Sequence, residues 1–152
     1  MVALEVLWLP QELAPSSLAD SRVVVIDVIR ATTSITTALA AGGQRVIPAG
    51  SVAAARAAAD RIGGSLLCGE RNGLPPKGFD LGNSPREFIP ELVAGESLIF
   101  TTTNGTAAIE VVTDALELSL ACFRNISSVA RVLSDPTDTK SCLLYTSPSP
   151  RD

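Results

Sequence analysis

Four short clusters in this chain carry residue types that can work on an anion. The first runs Asp27, Val28, Ile29, Arg30, Ala31, Thr32, Thr33, Ser34. The second begins Gly69, Glu70, Arg71, Asn72, Gly73 and resumes at Gly78, Phe79, Asp80, Leu81, Gly82, Asn83, Ser84, Pro85. The third is Thr101 to Thr106, with Thr103, Asn104 and Gly105 inside it, and the fourth is Arg124 with Asn125. Arg30 and Arg71 can grip phosphate oxygens through paired N–H groups. Thr32, Thr33, Thr103, Asn104, Gly105 and Thr106 lie where a strand should turn into a helix. Hydroxyls and free backbone N–H groups at such a turn suit an anion, helped by the helix dipole. Asp27 and Glu70, with Asp80 as a third candidate, suit Mg2+, which takes one or two carboxylates together with water and phosphate oxygens. Asn83 is a candidate for a second anionic group of the same ligand.

Each cluster alone has a plainer role. Thr and Asn at helix starts are caps, and Asp27 with Arg30 or Glu70 with Arg71 can be ordinary surface pairs. Their shared position points to a site, because open α/β sheets bind ligands outside the carboxyl ends of their strands.

The elements that must place these clusters read as alternating strands and helices. Apolar, branched runs predict strands over 3–9, 22–27, 44–48, 65–68, 96–100 and 117–121. Arg22 to Asp27 is a continuous apolar run of the kind a parallel sheet buries on both faces. Helices are expected over 33–41, stopped by Gly42 and Gly43; over 52–62, capped by Ser51; over 84–93, with Pro90 kinking or shortening it; over 103–116; and over 126–133. Residues 69–83 are a long polar loop, a length that often carries function. The pattern implies a three-layer α/β/α sandwich with a largely parallel sheet.

Composition narrows the function. A formal charge of −4 with no basic run argues against nucleic acid and anionic membranes as partners. No apolar stretch reaches membrane-spanning length, and no leader is read at Met1 to Pro10, so a cytoplasmic, soluble chain is expected. The chain has no histidine, so acid–base work must fall to carboxylates, other side chains or metal-bound water. Cys68, Cys122 and Cys142 lack metal-ligand spacing. The common nucleotide-binding glycine loops are absent.

The last stretch, Cys142 to Asp152, breaks from this pattern. It has no helix or strand period, and two Ser-Pro steps disfavour helix. It looks like translated sequencing adapter, so residues 141–152 are expected to be a non-native, disordered tail after an incomplete domain over 1–140.

Taken in order, the Asp27–Thr33 run, Gly69-Glu70-Arg71, Gly78–Pro85 and Thr101–Thr106 resemble the successive motifs of the 2-phosphosulfolactate phosphatase family, over about residues 1–135. The resemblance implies a Mg2+-dependent phosphatase of α/β fold. It implies hydrolysis of a small phosphorylated hydroxy acid, (2R)-2-phospho-3-sulfolactate going to 3-sulfolactate in coenzyme M biosynthesis. On this reading Asp27, Arg30, Glu70 and Arg71 are catalytic, Asp27, Glu70 and Asp80 hold the metal, and water or Asp27 attacks. Family members run on for further strands and helices, which leaves room for a homodimer of the full-length protein. The rival is a non-catalytic anion- or nucleotide-binding domain, which would need no converging carboxylates.

Overall fold

The computed structural model describes residues 4–13, 18–134 and 140–146. The chain forms β1 (Leu4–Leu7), a 3-10 turn (Pro10–Glu12), β2 (Ser21–Ile26), α1 (Ala31–Ala40), β3 (Arg45–Pro48), α2 (Val52–Ile62) and β4 (Ser65–Gly69). A second 3-10 turn (Pro85–Glu87) leads to α3 (Pro90–Val93), β5 (Ser97–Thr101), α4 (Gly105–Glu110), β6 (Glu117–Ala121), α5 (Ile126–Leu133) and β7 (Lys140–Tyr145).

The fold is α/β with parallel strand pairing throughout the described sheets, as the alternation predicts. The strands divide into two sheets where one was expected: β1-β7-β2-β6 and β3-β5-β4. The main core lies between them. It joins Val23 and Val25 of β2, Ile35 and Ala38 of α1, Leu98 and Phe100 of β5, and Leu144 of β7. Side chains alternate across a strand, so Ile99 of β5 points the other way. It packs with Ala55 and Ala58 of α2 in a second, smaller core. Both faces of β5 are covered, and every residue of it is buried. That is the physical reason for its unbroken apolar run.

Helix ends follow local chemistry. Ser51 caps α2, its hydroxyl accepting the Ala54 amide at 3.0 Å. The segment expected as one helix over 84–93 is split, because Pro90 supplies no amide for continued pairing and instead opens α3. The helix expected over 103–116 is only Gly105–Glu110. Thr102 and Thr103 spend their amides on side chains, and the β-branched Val111, Val112 and Thr113 favour helix weakly.

The largest correction concerns the tail. Residues 140–145 form β7, inserted in parallel between β1 and β2, with Cys142 facing Val23 and Leu144 facing Val25. Cys142 and Leu144 are buried. Two open strand edges and a core slot order a segment that has no periodicity of its own. Pairing does not bear on where that string came from, and 147–152 lie outside the described residues.

Candidate active site

Three strand-to-helix turns are fastened by one recurring device: a side chain at the start of the helix grips the end of the preceding strand. After β2, the Asp27 amide donates to Thr32 Oγ1 at 3.0 Å, and that hydroxyl lies 2.7 Å from the carbonyl oxygens of both Asp27 and Ala121. After β5, the Thr102 amide donates to Thr106 Oγ1 at 2.9 Å, and the Thr106 amide donates to Thr102 Oγ1 at 3.0 Å. After β6, the Cys122 amide donates to Asn125 Oδ1, while Asn125 Nδ2 donates to the Leu120 carbonyl. These bonds hold each turn in register, and Thr32 also ties the end of β2 to the end of β6.

Asp27 sits at the meeting point, 8 % exposed. Gly105, the first residue of α4, packs against Ala31, the first residue of α1. A side chain at Gly105 would collide with the Ala31 methyl and come within 2.9 Å of Asp27 Oδ2. Burial pushes the Asp27 carboxyl above its ordinary value. The Ala31 amide and the Thr146 hydroxyl oppose this, the Glu70 charge adds to it, and the Arg30 guanidinium opposes it again without restoring the ordinary value.

Glu70 follows β4, is 7 % exposed, and bridges two loops. Its Oε1 accepts the Thr103 amide at 2.7 Å; its Oε2 accepts the Gly73 amide at 2.8 Å and the Thr103 hydroxyl at 3.0 Å. Burial alone would raise this carboxyl, but the Thr103 and Gly73 amides, the Thr103 hydroxyl and the Arg71 charge outweigh it and hold it below its ordinary value. Two neighbouring carboxyls are thus pushed in opposite directions, the pattern that separates an acid–base role from a fixed anion.

The remaining candidates divide. Arg30 is partly buried, and among the described residues its guanidinium has no hydrogen-bond or ion-pair partner. Asn104 is exposed, with no capping bond from its side chain. Asn83 is buried, and its Oδ1 has no partner; its backbone carbonyl accepts Ser34 Oγ at 2.8 Å. Thr33 is partly buried and donates to the Val28 carbonyl.

Other candidates are spent on the fold. Thr32 and Thr106 are fully buried in the fastenings. Thr103 serves Glu70. Arg71 is tied to the Glu70 and Gly50 carbonyls at 2.9 Å and to Thr101 Oγ1 at 2.6 Å, so it braces the loop instead of facing open space. Asp80 is exposed, and its Oδ2 accepts the Leu67 amide from the middle of β4. It caps a strand edge, away from the strand's carboxyl end. Among the described residues no three metal-type side chains converge, so a three-carboxylate set of Asp27, Glu70 and Asp80 does not form. Asp27 and Glu70 remain as a pair.

Sequence reasoning missed Thr146, which lies in the string set aside as tail. Its amide donates to the Ile26 carbonyl at 3.1 Å, which places its hydroxyl beside Asp27. No local signal marks it; only the pairing of β7 with β2 does. Cys68 is excluded as a thiolate nucleophile. Burial, with the charges of Asp80 and Glu87, pushes its thiol up to about 12.

A family model described as 2-phosphosulpholactate phosphatase matches residues 7–147, from β1 through β7 and across every cluster described above. The chain belongs to that family. A protein of Caldanaerobacter subterraneus subsp. tengcongensis named probable 2-phosphosulfolactate phosphatase is 49% identical over 119 residues, covering 77% of this chain and 49% of the relative. Proteins of the same name from Thermotoga petrophila and from a Synechococcus strain are 46% and 45% identical over 127 and 129 residues, each covering 83% of this chain and 55% and 51% of theirs. The chain spans about half the length of these curated relatives. Among its described residues no helix is long and apolar enough to cross a membrane.

Proposed function

We propose that this phosphosulpholactate-phosphatase-type domain supplies the catalytic half of a Mg2+-dependent phosphatase acting on a small phosphorylated hydroxy acid. By the family's name the substrate class is 2-phosphosulfolactate, going to 3-sulfolactate and phosphate in coenzyme M biosynthesis. The observation that carries the reading is the Asp27–Glu70 pair. Two carboxylates at strand ends of different sheets lie close enough for the Glu70 charge to act on Asp27, one held above and one below its ordinary pKa, with the Arg30 charge acting on Asp27 as well.

Two carboxylates fit Mg2+, which keeps waters and phosphate oxygens for its other positions. Asp27 and Glu70 would hold it. The ion would neutralise charge on the phosphoryl oxygens. Arg30 would grip those oxygens, since Arg71 is occupied. Thr33, Asn104 and the Asn83 carboxamide would orient the rest of the acid. Glu70, fixed by three donors, stays ionised and holds Thr103 and Gly73 in place. Asp27 would take a proton from the attacking water and return it to the leaving oxygen as the ester P–O bond breaks, or would attack phosphorus itself, the hydroxy acid leaving with a proton from water and a second water hydrolysing the acyl phosphate.

Phosphate release from a panel of phosphorylated 2-hydroxy acids, with and without Mg2+, tests the proposal in this chain and in the Caldanaerobacter relative. Mg2+-dependent release that Asp27→Asn abolishes supports it. Binding of the acids without turnover in both proteins would favour the non-catalytic reading.

A further inference from the structure

We infer that the apolar groove between α5 and the β7-β2-β6 face seats the half of the family fold that lies outside the stretch matched by this chain. The groove is a cavity of about 290 Å3 whose lining includes Val24, Ile26, Val28, Val129 and Leu133. Phe123 and Ile126 also line it and are 78 % and 55 % exposed. A contiguous apolar surface of this kind marks a place where something packs.

Three observations select the occupant. The curated relatives are about twice as long as the matched stretch, which leaves in each a second half long enough to pack here. The strand order puts β6 at a sheet edge, with no strand on its outer side among the described residues, so an added strand would continue the sheet there. The groove also runs along the back of β2, the strand that ends at Asp27: Val24 and Ile26 line it, whereas Val23 and Val25 face the main core. An occupant would therefore back the strand that carries Asp27. Only the importance of Asp27 rests on the proposed phosphatase reading.

The test is to co-express this chain with the part of the Caldanaerobacter relative outside the matched stretch. The expected result is a one-to-one complex that Phe123→Asp with Ile126→Asp weakens at least about tenfold, as for truncation of central apolar anchors. Leu4→Asp, on the distant β1 edge, should leave it intact. A circular-dichroism melt checks that the variants fold. Hydrogen exchange on the full-length relative removes dependence on the separate half folding. There the segment aligned with 121–133 should exchange at least about tenfold more slowly than in this chain. Equal exchange, or a complex indifferent to both aspartates, overturns the inference. So does self-association of this chain that the same aspartates abolish, which would give the groove to a second copy. Phosphate release is read separately: a complex without turnover removes the phosphatase reading and leaves the docking intact.

Discussion

Asp27 and Glu70 are both buried carboxyls, yet their neighbours give them opposite effects on stability. The folded pKa of Asp27 is raised, chiefly by burial. Its contribution is therefore fully favourable below the unfolded value and is lost as pH rises through the folded one. Ionised Asp27 costs stability at neutral pH. Asp27→Asn should raise the melting temperature at pH 7 in Mg2+-free buffer while ending phosphate release in a full-length relative. The gain should fade as pH falls below the ordinary carboxyl value of 3.8. An unchanged melting temperature at pH 7 would count against burial as the dominant cause. The folded pKa of Glu70 is lowered, so its contribution is present above the unfolded value and lost as pH falls through the folded one. Glu70→Gln should cost on the order of 1–3 kcal/mol at pH 7, because an amide cannot accept all three donors. Urea melts should show that penalty shrinking in acid.

At the scale of elements, the fastened turns decide where the chemistry can sit. Thr106 reaches back to Thr102, and Thr32 back to Asp27, so the first residue of each helix abuts its neighbour across Gly105 and Ala31. Thr106→Val keeps the shape and removes the hydroxyl. It should cost about 1–2 kcal/mol in denaturant unfolding, the usual scale for a lost cap or buried hydrogen bond. Gly105→Ala tests the close approach directly. Its methyl meets Ala31 and Asp27, so turnover in a full-length relative should fall by at least about tenfold, since small misplacements of reacting groups cost that much or more. Turnover equal to that of the parent would show that the approach has slack.

At the scale of the whole molecule, β7 is the element on which the sheet order depends. Removing it would leave β1 without a described strand partner and open the core beside β2. Leu144 is fully buried, so Leu144→Ala should cost about 2–5 kcal/mol by the usual cavity penalty. A detached tail would show no cost in the same urea titration. This contrast separates the strand seen in the fold from the disordered string that local composition suggests.

The strand–helix alternation, the caps at Ser51 and Gly42, the buried run of β2 and the anion-type clusters were legible in the residues, because each depends on neighbours a few positions away. The carboxylate pair was legible as two strand-end acids. Other features depended on contacts between distant segments. Thr32 and Arg71 look like ligands in one dimension, but the fold spends them on Ala121, Gly50 and Thr101 from distant segments, and Thr106 is spent on Thr102 in its own turn. Asp80 looks like a third metal ligand, but it caps the edge of β4. The split into two sheets, the insertion of 140–145 and the hydroxyl of Thr146 beside Asp27 have no local signature. Pairing partners and burial are set by segments that meet only in space, so the sequence by itself determined which chemistry the chain could attempt. The tertiary structure decided which side chains remain free to perform it.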